Sequence, residues 1–242
     1  MYYSQKVIIS GQFLEVYTYQ SPQKKDFSKE ENQLPENKEK TSCQKDRFSL
    51  SRTRNNIRRI INANPDFNRF VTLTFADQCS DIDQANKHFK QFIQRLRYDY
   101  PNFKYLAVVE YQKDYDYYGR KKERGGAVHY HCLFNNKRFS LRVIDRYWSN
   151  GFVDSSSIRH VGNVGAYVCK YLTKEIFDIR FFGKKKFFVS RNVNRPEEFH
   201  FETDQSKIIK ETYLLNEPIY SKKFDNPYSG NVQYQQYRLP AH

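Results

Sequence analysis

The sequence predicts an α+β fold, a central antiparallel β-sheet with flanking helices, and three stretches carry that prediction. Arg69–Phe75 (Arg-Phe-Val-Thr-Leu-Thr-Phe) alternates β-branched and aromatic residues, as a strand does. Just after it, Ile82, Ala85, Phe89, Phe92, Ile93 and Leu96 recur at helical spacing up to Tyr100-Pro101. Residues 104–112 and 127–134 are two further strands, adjacent in sequence, that would pair antiparallel as a hairpin across a long, charged, tyrosine-rich loop.

Taken in order, residues 6–10 and 12–19 read as two short strands with Gly11 at the bend, an N-terminal hairpin over residues 1–20. Residues 21–45 are nearly all polar and charged and include Pro22 and Pro35, the composition of a linker. From Ser49 to Asn64 the pattern becomes helical. Leu50, Ile57, Ile60 and Ile61 lie on one side, and Arg52, Arg54, Arg58 and Arg59 fall largely on another. Ser80 with Asp83 three residues on predicts a capping box for the next helix. Residues 140–150 read as a short helix with Leu141, Ile144, Tyr147 and Trp148 inward, stopped by Gly151, and Phe152-Val153 as a brief strand. Asn163 would cap a helix from Val164 to about Ile176. A hairpin over residues 180–190 follows, with Gly183 at its turn beside Lys184, Lys185 and Lys186. Residues 46–191 thus form the main domain. The extension 192–242 is polar and broken by Pro196, Pro218 and Pro227, which predicts a loosely attached tail.

Composition narrows the function. The formal charge is +14, and 17% of residues are aromatic, with 20 Tyr and 20 Phe among 242 residues. Basic residues interleaved with aromatics suit a surface that neutralises phosphates and stacks bases of a single strand; a basic protein with an aromatic core is the plainer alternative. Four cysteines without a C-x-x-C pairing argue against a zinc ribbon or a disulfide framework and fit a reducing compartment. No signal-peptide pattern and no membrane-length apolar run is present, so a cytoplasmic protein is expected. The absence of a Gly-x-x-x-x-Gly-Lys-Ser/Thr loop argues against an ATP-driven motor within these residues.

The chemistry centres on His129-Tyr130-His131. Side chains alternate along a strand, so both imidazoles face one side and make a ready metal clamp. Val108, Glu110 and Gln112 share one face of the preceding strand, and the hairpin can set Glu110 across from the histidines. Two imidazoles and a carboxylate with positions left open suit a divalent cation that also holds a phosphate oxygen, and the carboxylate favours Mg2+ or Mn2+. Such a pair also occurs in zinc hydrolases and as hydrogen-bonded strand histidines.

On the predicted helix from Val164, Val168 and Leu172 continue an apolar stripe, while Tyr167 and Tyr171 stand about 100° around the axis. Lys170 and Lys174 each follow one tyrosine by three residues. A free tyrosine is ionised only to roughly one part in a thousand at pH 7. It attacks a phosphodiester only when a cation polarises the phosphorus and nearby positive charge favours the phenolate.

Phe70-Val-Thr-Leu-Thr-Phe75, His129-Tyr-His131 and Ala166-Tyr-Val-Cys-Lys-Tyr-Leu-Thr-Lys174 resemble, in order and spacing, motifs I, II and III of the HUH endonucleases. The resemblance spans residues 49–190 and is closest to the two-tyrosine rolling-circle replication initiators of small single-stranded DNA bacteriophages and plasmids. It implies an RRM-like palm with the tyrosine helix crossing the metal face. It also implies a site- and strand-specific nick in single-stranded origin DNA, a 5′-phosphotyrosyl link and a free 3′-hydroxyl primer. His129 and His131 match the metal ligands, Tyr167 and Tyr171 the nucleophiles, and Lys170 and Lys174 the lysines of motif III. Glu110 is the third ligand by hairpin geometry. Arg52, Arg54, Arg58, Arg59, Lys184, Lys185 and Lys186 are the expected DNA contacts. No helicase domain follows in the sequence, so a host helicase and polymerase in a bacterial cytoplasm are the implied partners. A relaxase or transposase of the same superfamily shares these residues, and an idle DNA-binding regulator is the alternative from a different class.

Overall fold

The computed structural model describes residues 2–24, 42–115, 118–121, 126–158, 161, 164–172, 184–185, 187–226 and 229–240; for 42–50, 166 and 170–172 the description is of the backbone alone. The chain divides into two units, Arg47–Val193 and Met1–Asp46 with Asn194–His242. Each is antiparallel and carries its own five-stranded sheet.

In the first of these units, β3 (Arg69–Phe75), β4 (Tyr105–Tyr111), β5 (Val128–Phe134), β6 (Gly151–Ser157) and β7 (Phe187–Val189) are ordered β6-β3-β5-β4-β7. The histidine strand β5 therefore sits in the middle, between β3 and β4. One face of this sheet carries Val71, Leu73, Val109, Tyr130 and Phe134 in a cluster with the six apolar residues of α2 (Ile82–Asp99) and with Ile144 and Trp148 of α3 (Leu141–Trp148). All six of those α2 residues are buried, as their spacing predicts. Trp148 is fully buried, and its indole N–H donates to the Thr74 carbonyl at 3.0 Å, fastening α3 to β3. The opposite face of the sheet carries Leu106, Val108 and Leu133. They are buried with Ile57, Ile60 and Ile61 of α1 (Ser42–Asn62) and with Val168 and Cys169 of α4 (Val164–Leu172).

Several local expectations change. The cap of α2 is Asp81 rather than Ser80, its carboxylate accepting from the amides of Asp83 and Gln84, because the helix begins one residue later than a Ser80 cap requires. Leu141 is 49% exposed, because α3 buries only the stripe through Ile144 and Trp148. This helix ends at Ser149, in the left-handed region with φ 47°, and Gly151 opens β6 instead of merely stopping a helix. A Cβ at Gly151 would fall onto the Thr74 carbonyl oxygen and the Ala76 amide, so only glycine lets β6 start this close to β3. The first arm of the hairpin expected over residues 180–190 lies outside the described residues, as does Asn163; the second arm is β7, on the edge of β4.

The other unit overturns the loosely attached tail. β1 (Tyr2–Ser10) and β2 (Phe13–Lys24) turn at Gly11, with φ 58°, as a hairpin. β8 (Glu197–Phe201), β9 (Tyr220–Asn226) and β10 (Gly230–Arg238) then complete the order β8-β1-β2-β10-β9. Three of the five strands come from the segment expected to be loose. Val7, Leu14, Val16 and Tyr237 bury one side with Ile209 of α5 (Ser206–Thr212). Buried Gln5 ties the unit together: its amide donates to Thr18, Asp204 and Ser206, and its carbonyl accepts from the Gln205 amide. β2 also runs four residues into the expected linker. Pro22 is tolerated there because β10 pairs only as far as Tyr19. Residues 25–41 lie outside the described residues.

Candidate active site

The register of the central strands decides what the histidines meet. Glu110 is directly opposite His129, and Val108 opposite His131; on the other side Thr74 faces His129 and Thr72 faces His131. Phe70, Thr72, Thr74, Leu106, Val108, Glu110, His129, His131 and Leu133 consequently share one face by strand alternation. The Glu110 carboxylate reaches diagonally to His131 Nε2 and touches it. His131 Nδ1 shares a hydrogen bond of 3.1 Å with Thr72 Oγ1, and the Phe70 ring stacks on the imidazole at 5.8 Å and 8°. The imidazole is thus fixed in plane and direction, the arrangement that orients metal-binding histidines. Thr72 and Phe70 were not singled out from sequence, although alternation in Phe-Val-Thr-Leu-Thr-Phe puts them on one face; only the β3–β5 register says that it is the histidine face.

The middle residue of the H-x-H pattern behaves oppositely. Tyr130 points to the other face, donates to Asn86 Oδ1 at 2.8 Å and stacks on Phe89 at 4.4 Å. Burial pushes its hydroxyl far above the ordinary phenol value, so it is no nucleophile.

As a cation site the donor set is open. Glu110 and His131 converge, whereas among the described residues no group of three His, Cys, Asp or Glu side chains closes into a cage. A half-buried carboxylate and imidazole, with a second imidazole one register step away, suit a hard divalent ion that keeps water or phosphate oxygens as its remaining ligands. For Nε2 to bind a cation it must be unprotonated, and Nδ1–H would then donate to Thr72 Oγ1.

Helix α4 lies over this same face. Val168 and Cys169 share their buried cluster with Leu106, Val108 and Leu133, which precede Glu110 and follow His131 on β4 and β5. Gly165 lets α4 run close to α1, because its missing Cβ would meet the Asn62 amide carbon at 2.9 Å and the Arg58 carbonyl oxygen at 3.2 Å. Burial pushes the Cys169 thiol up to about 11, while Arg58 and Arg54 stand near enough to pull it back. Two arginines of α1 therefore lie beside the tyrosine helix. Tyr167 is 40% exposed on α4. The backbone of α4 includes Lys170 and Tyr171, whose side chains lie outside the described residues, as does all of Lys174.

Arg52 and Arg54 are exposed and Arg58 and Arg59 half-buried. Lys184 binds Asp83 at 2.6 Å, and Lys185 sits over the Phe188 ring at 4.9 Å. Both already have local partners, and Lys186 lies outside the described residues.

Residues 68–176 match the family model of the replication-associated protein ORF2. The replication-associated segment runs from β3 through α4 and takes in Glu110, both histidines, both tyrosines and both lysines, while α1, β7 and the second sheet fall outside it. It supports a role in replication for this part of the chain. No curated protein and no solved structure matches. Among the described residues no helix is long and apolar enough to cross a membrane.

Proposed function

We propose that the chain initiates rolling-circle replication by nicking single-stranded origin DNA and holding the cut strand as a phosphotyrosyl ester. The observation that carries this reading is the shared face: the helix bearing Tyr167 and Tyr171 packs on the same side of the sheet that presents Glu110, His129 and His131. In the reaction a tyrosine hydroxyl oxygen bonds to the scissile phosphorus and the bond from phosphorus to the 3′ oxygen breaks. The phenolic proton passes to solvent, and the departing 3′ oxygen takes up a proton to become the primer hydroxyl. Because one ester replaces another, reversal by a 3′-hydroxyl rejoins DNA without ATP.

Each group has a part. His131, aimed by Thr72 and Phe70, and Glu110 and His129 would hold a magnesium or manganese ion. Bound there, the ion would supply Lewis-acid charge to a phosphate oxygen. Arg54 and Arg58 beside α4, with Lys170 and Lys174, favour the phenolate form of the attacking tyrosine. Exposed Arg52 suits contact to the DNA backbone, which carries affinity rather than sequence choice.

The test is a covalent adduct. The native protein with single-stranded origin oligonucleotides and manganese should yield a protein–DNA species stable on a denaturing gel. Glu110→Gln, His129→Ala and His131→Ala should lose the adduct and keep DNA binding, while Tyr167→Phe and Tyr171→Phe rank the two nucleophiles. A chain that binds origin DNA and never forms the adduct under any metal is a regulator instead, and the nicking reading then fails.

A further inference from the structure

Beyond the end of β3 the chain does not turn directly into α2. Residues 76–81 form a loop that walls a cavity of about 400 Å³ with the start of β6. Its lining includes Asp77, Gln78, Gln84, His88 and Asn150 around the Phe75 edge. The walls are held by backbone bonds. The Ala76 amide donates to the Asn150 carbonyl at 2.9 Å, the Cys79 amide to the Asp77 carbonyl at 2.8 Å, and the Val128 amide to the Cys79 carbonyl at 2.8 Å. That last bond ties the loop to the residue before His129. His88 is set edge-on against Phe75 at 5.9 Å.

The position and the chemistry point the same way. Thr74 faces His129 in register, and Ala76 and Asp77 follow it by two and three residues, so the cavity begins about 7–10 Å along the strand from the histidine row. Phe152, 59% exposed, is opposite Thr74 on the histidine face and next to Gly151, which lines the cavity. It offers a ring on which a base can stack between the two places. Inside, the amides of Gln78 and Gln84, the imidazole of His88 and the carboxylate of Asp77 match the donor and acceptor edges of a base. The Asp77 carboxylate disfavours a phosphate. The volume accommodates one planar heterocycle with water.

We propose that this cavity receives one unpaired nucleobase of the strand being cut, a nucleotide or two from the scissile phosphate, and so sets where the nick falls. The assignment rests on the nicking function proposed above, and its test separates the two. A single-stranded oligonucleotide pool with a randomised centre is selected on the native protein. The winning sequence is then remade with an abasic site at each position in turn, and binding is read by fluorescence anisotropy and nicking by the covalent adduct. Native protein should show one position where the abasic site weakens binding about tenfold, the loss of one stacked and hydrogen-bonded base. Gln84→Ala and His88→Ala should erase that positional penalty and relax the base preference of the adduct at the same position. Gln84 is exposed on α2, so this variant keeps the fold; a melting curve read from Trp148 checks both.

A penalty that persists undiminished in both variants, a selection that returns no preferred sequence, or a penalty spread evenly over all positions overturns the base pocket even if the adduct forms. A positional penalty that the variants remove, with no adduct under any metal, leaves the pocket standing and refutes the nicking reaction.

Discussion

Gly165→Ala probes the close approach of α4 to α1. The added methyl would meet the Asn62 side chain, its Cγ at 2.9 Å, and the Arg58 carbonyl at 3.2 Å. The backbone oxygen can yield by a few tenths of an ångström, but the Asn62 amide must move, and Asn62 is 9% exposed at the foot of α1. Overpacking of this kind costs about 1–3 kcal/mol. Alanine returns about 1 kcal/mol of helix propensity relative to glycine. The expected net loss is therefore about 0–2 kcal/mol, or a fall in Tm of up to roughly 4–8 °C at 2–4 °C per kcal/mol. Trp148 is the only tryptophan and is fully buried in the same unit, so its emission reports the transition directly. The clash predicts coupling. In an Asn62→Ala background the same Gly165→Ala change should cost at least about 1 kcal/mol less, since the main obstacle is gone. Tilting α4 off the sheet should also lower adduct formation, by up to about a hundredfold for an ångström of misplacement. A Gly165→Ala protein that melts at or above the native temperature, with additive rather than coupled effects, would refute this packing argument.

Thr72→Ala removes the group that orients His131, and it should raise the manganese concentration needed for half-maximal adduct about 10–100-fold, measured by metal titration, with DNA binding unchanged. The Cys169 thiol, pushed up to about 11 by burial, stays neutral in the folded chain after it has ionised in the unfolded one. Its contribution to stability is complete below about pH 9 and is lost as pH rises through 11. Cys169→Ala should accordingly flatten the fall in Tm over that window, whereas a parallel fall would show that other groups carry it. Deleting residues 194–242 strips β8 from β1 and β10 from β2, leaving a two-stranded hairpin that is marginal in water; limited proteolysis should then cut within residues 2–24, which the intact protein resists.

What the sequence revealed, and what it hid, follows from how far each signal reaches. β3 and the buried residues of α2 were legible because period and burial coincide locally. The pairing of Glu110 with His129 was legible because a hairpin of neighbouring strands leaves few registers, and alternation then fixes the face. The second sheet was hidden because its strands are polar and proline-flanked. Pro196 directly precedes β8, Pro218 stands two residues before β9 and Pro227 directly follows it, so each proline marks a strand boundary rather than a lack of structure. Pairing with β1 and β2, far away in sequence, is what makes these segments strands, and no local window contains it. The same holds for Thr72 and Phe70, whose roles depend on which strand lies next to β3.

The two units differ in when a growing chain can complete them. Arg47–Val193 is continuous, so all its strands have been synthesised before residue 194 is added. The other sheet joins Gln12 to Arg238, 226 residues apart, and β2 waits for its β10 neighbour throughout translation. On the ribosome the half that carries the histidines and tyrosines has the material to fold early. The N-terminal hairpin, meanwhile, exposes two open strand edges, a window in which a chaperone or a second nascent chain competes for them.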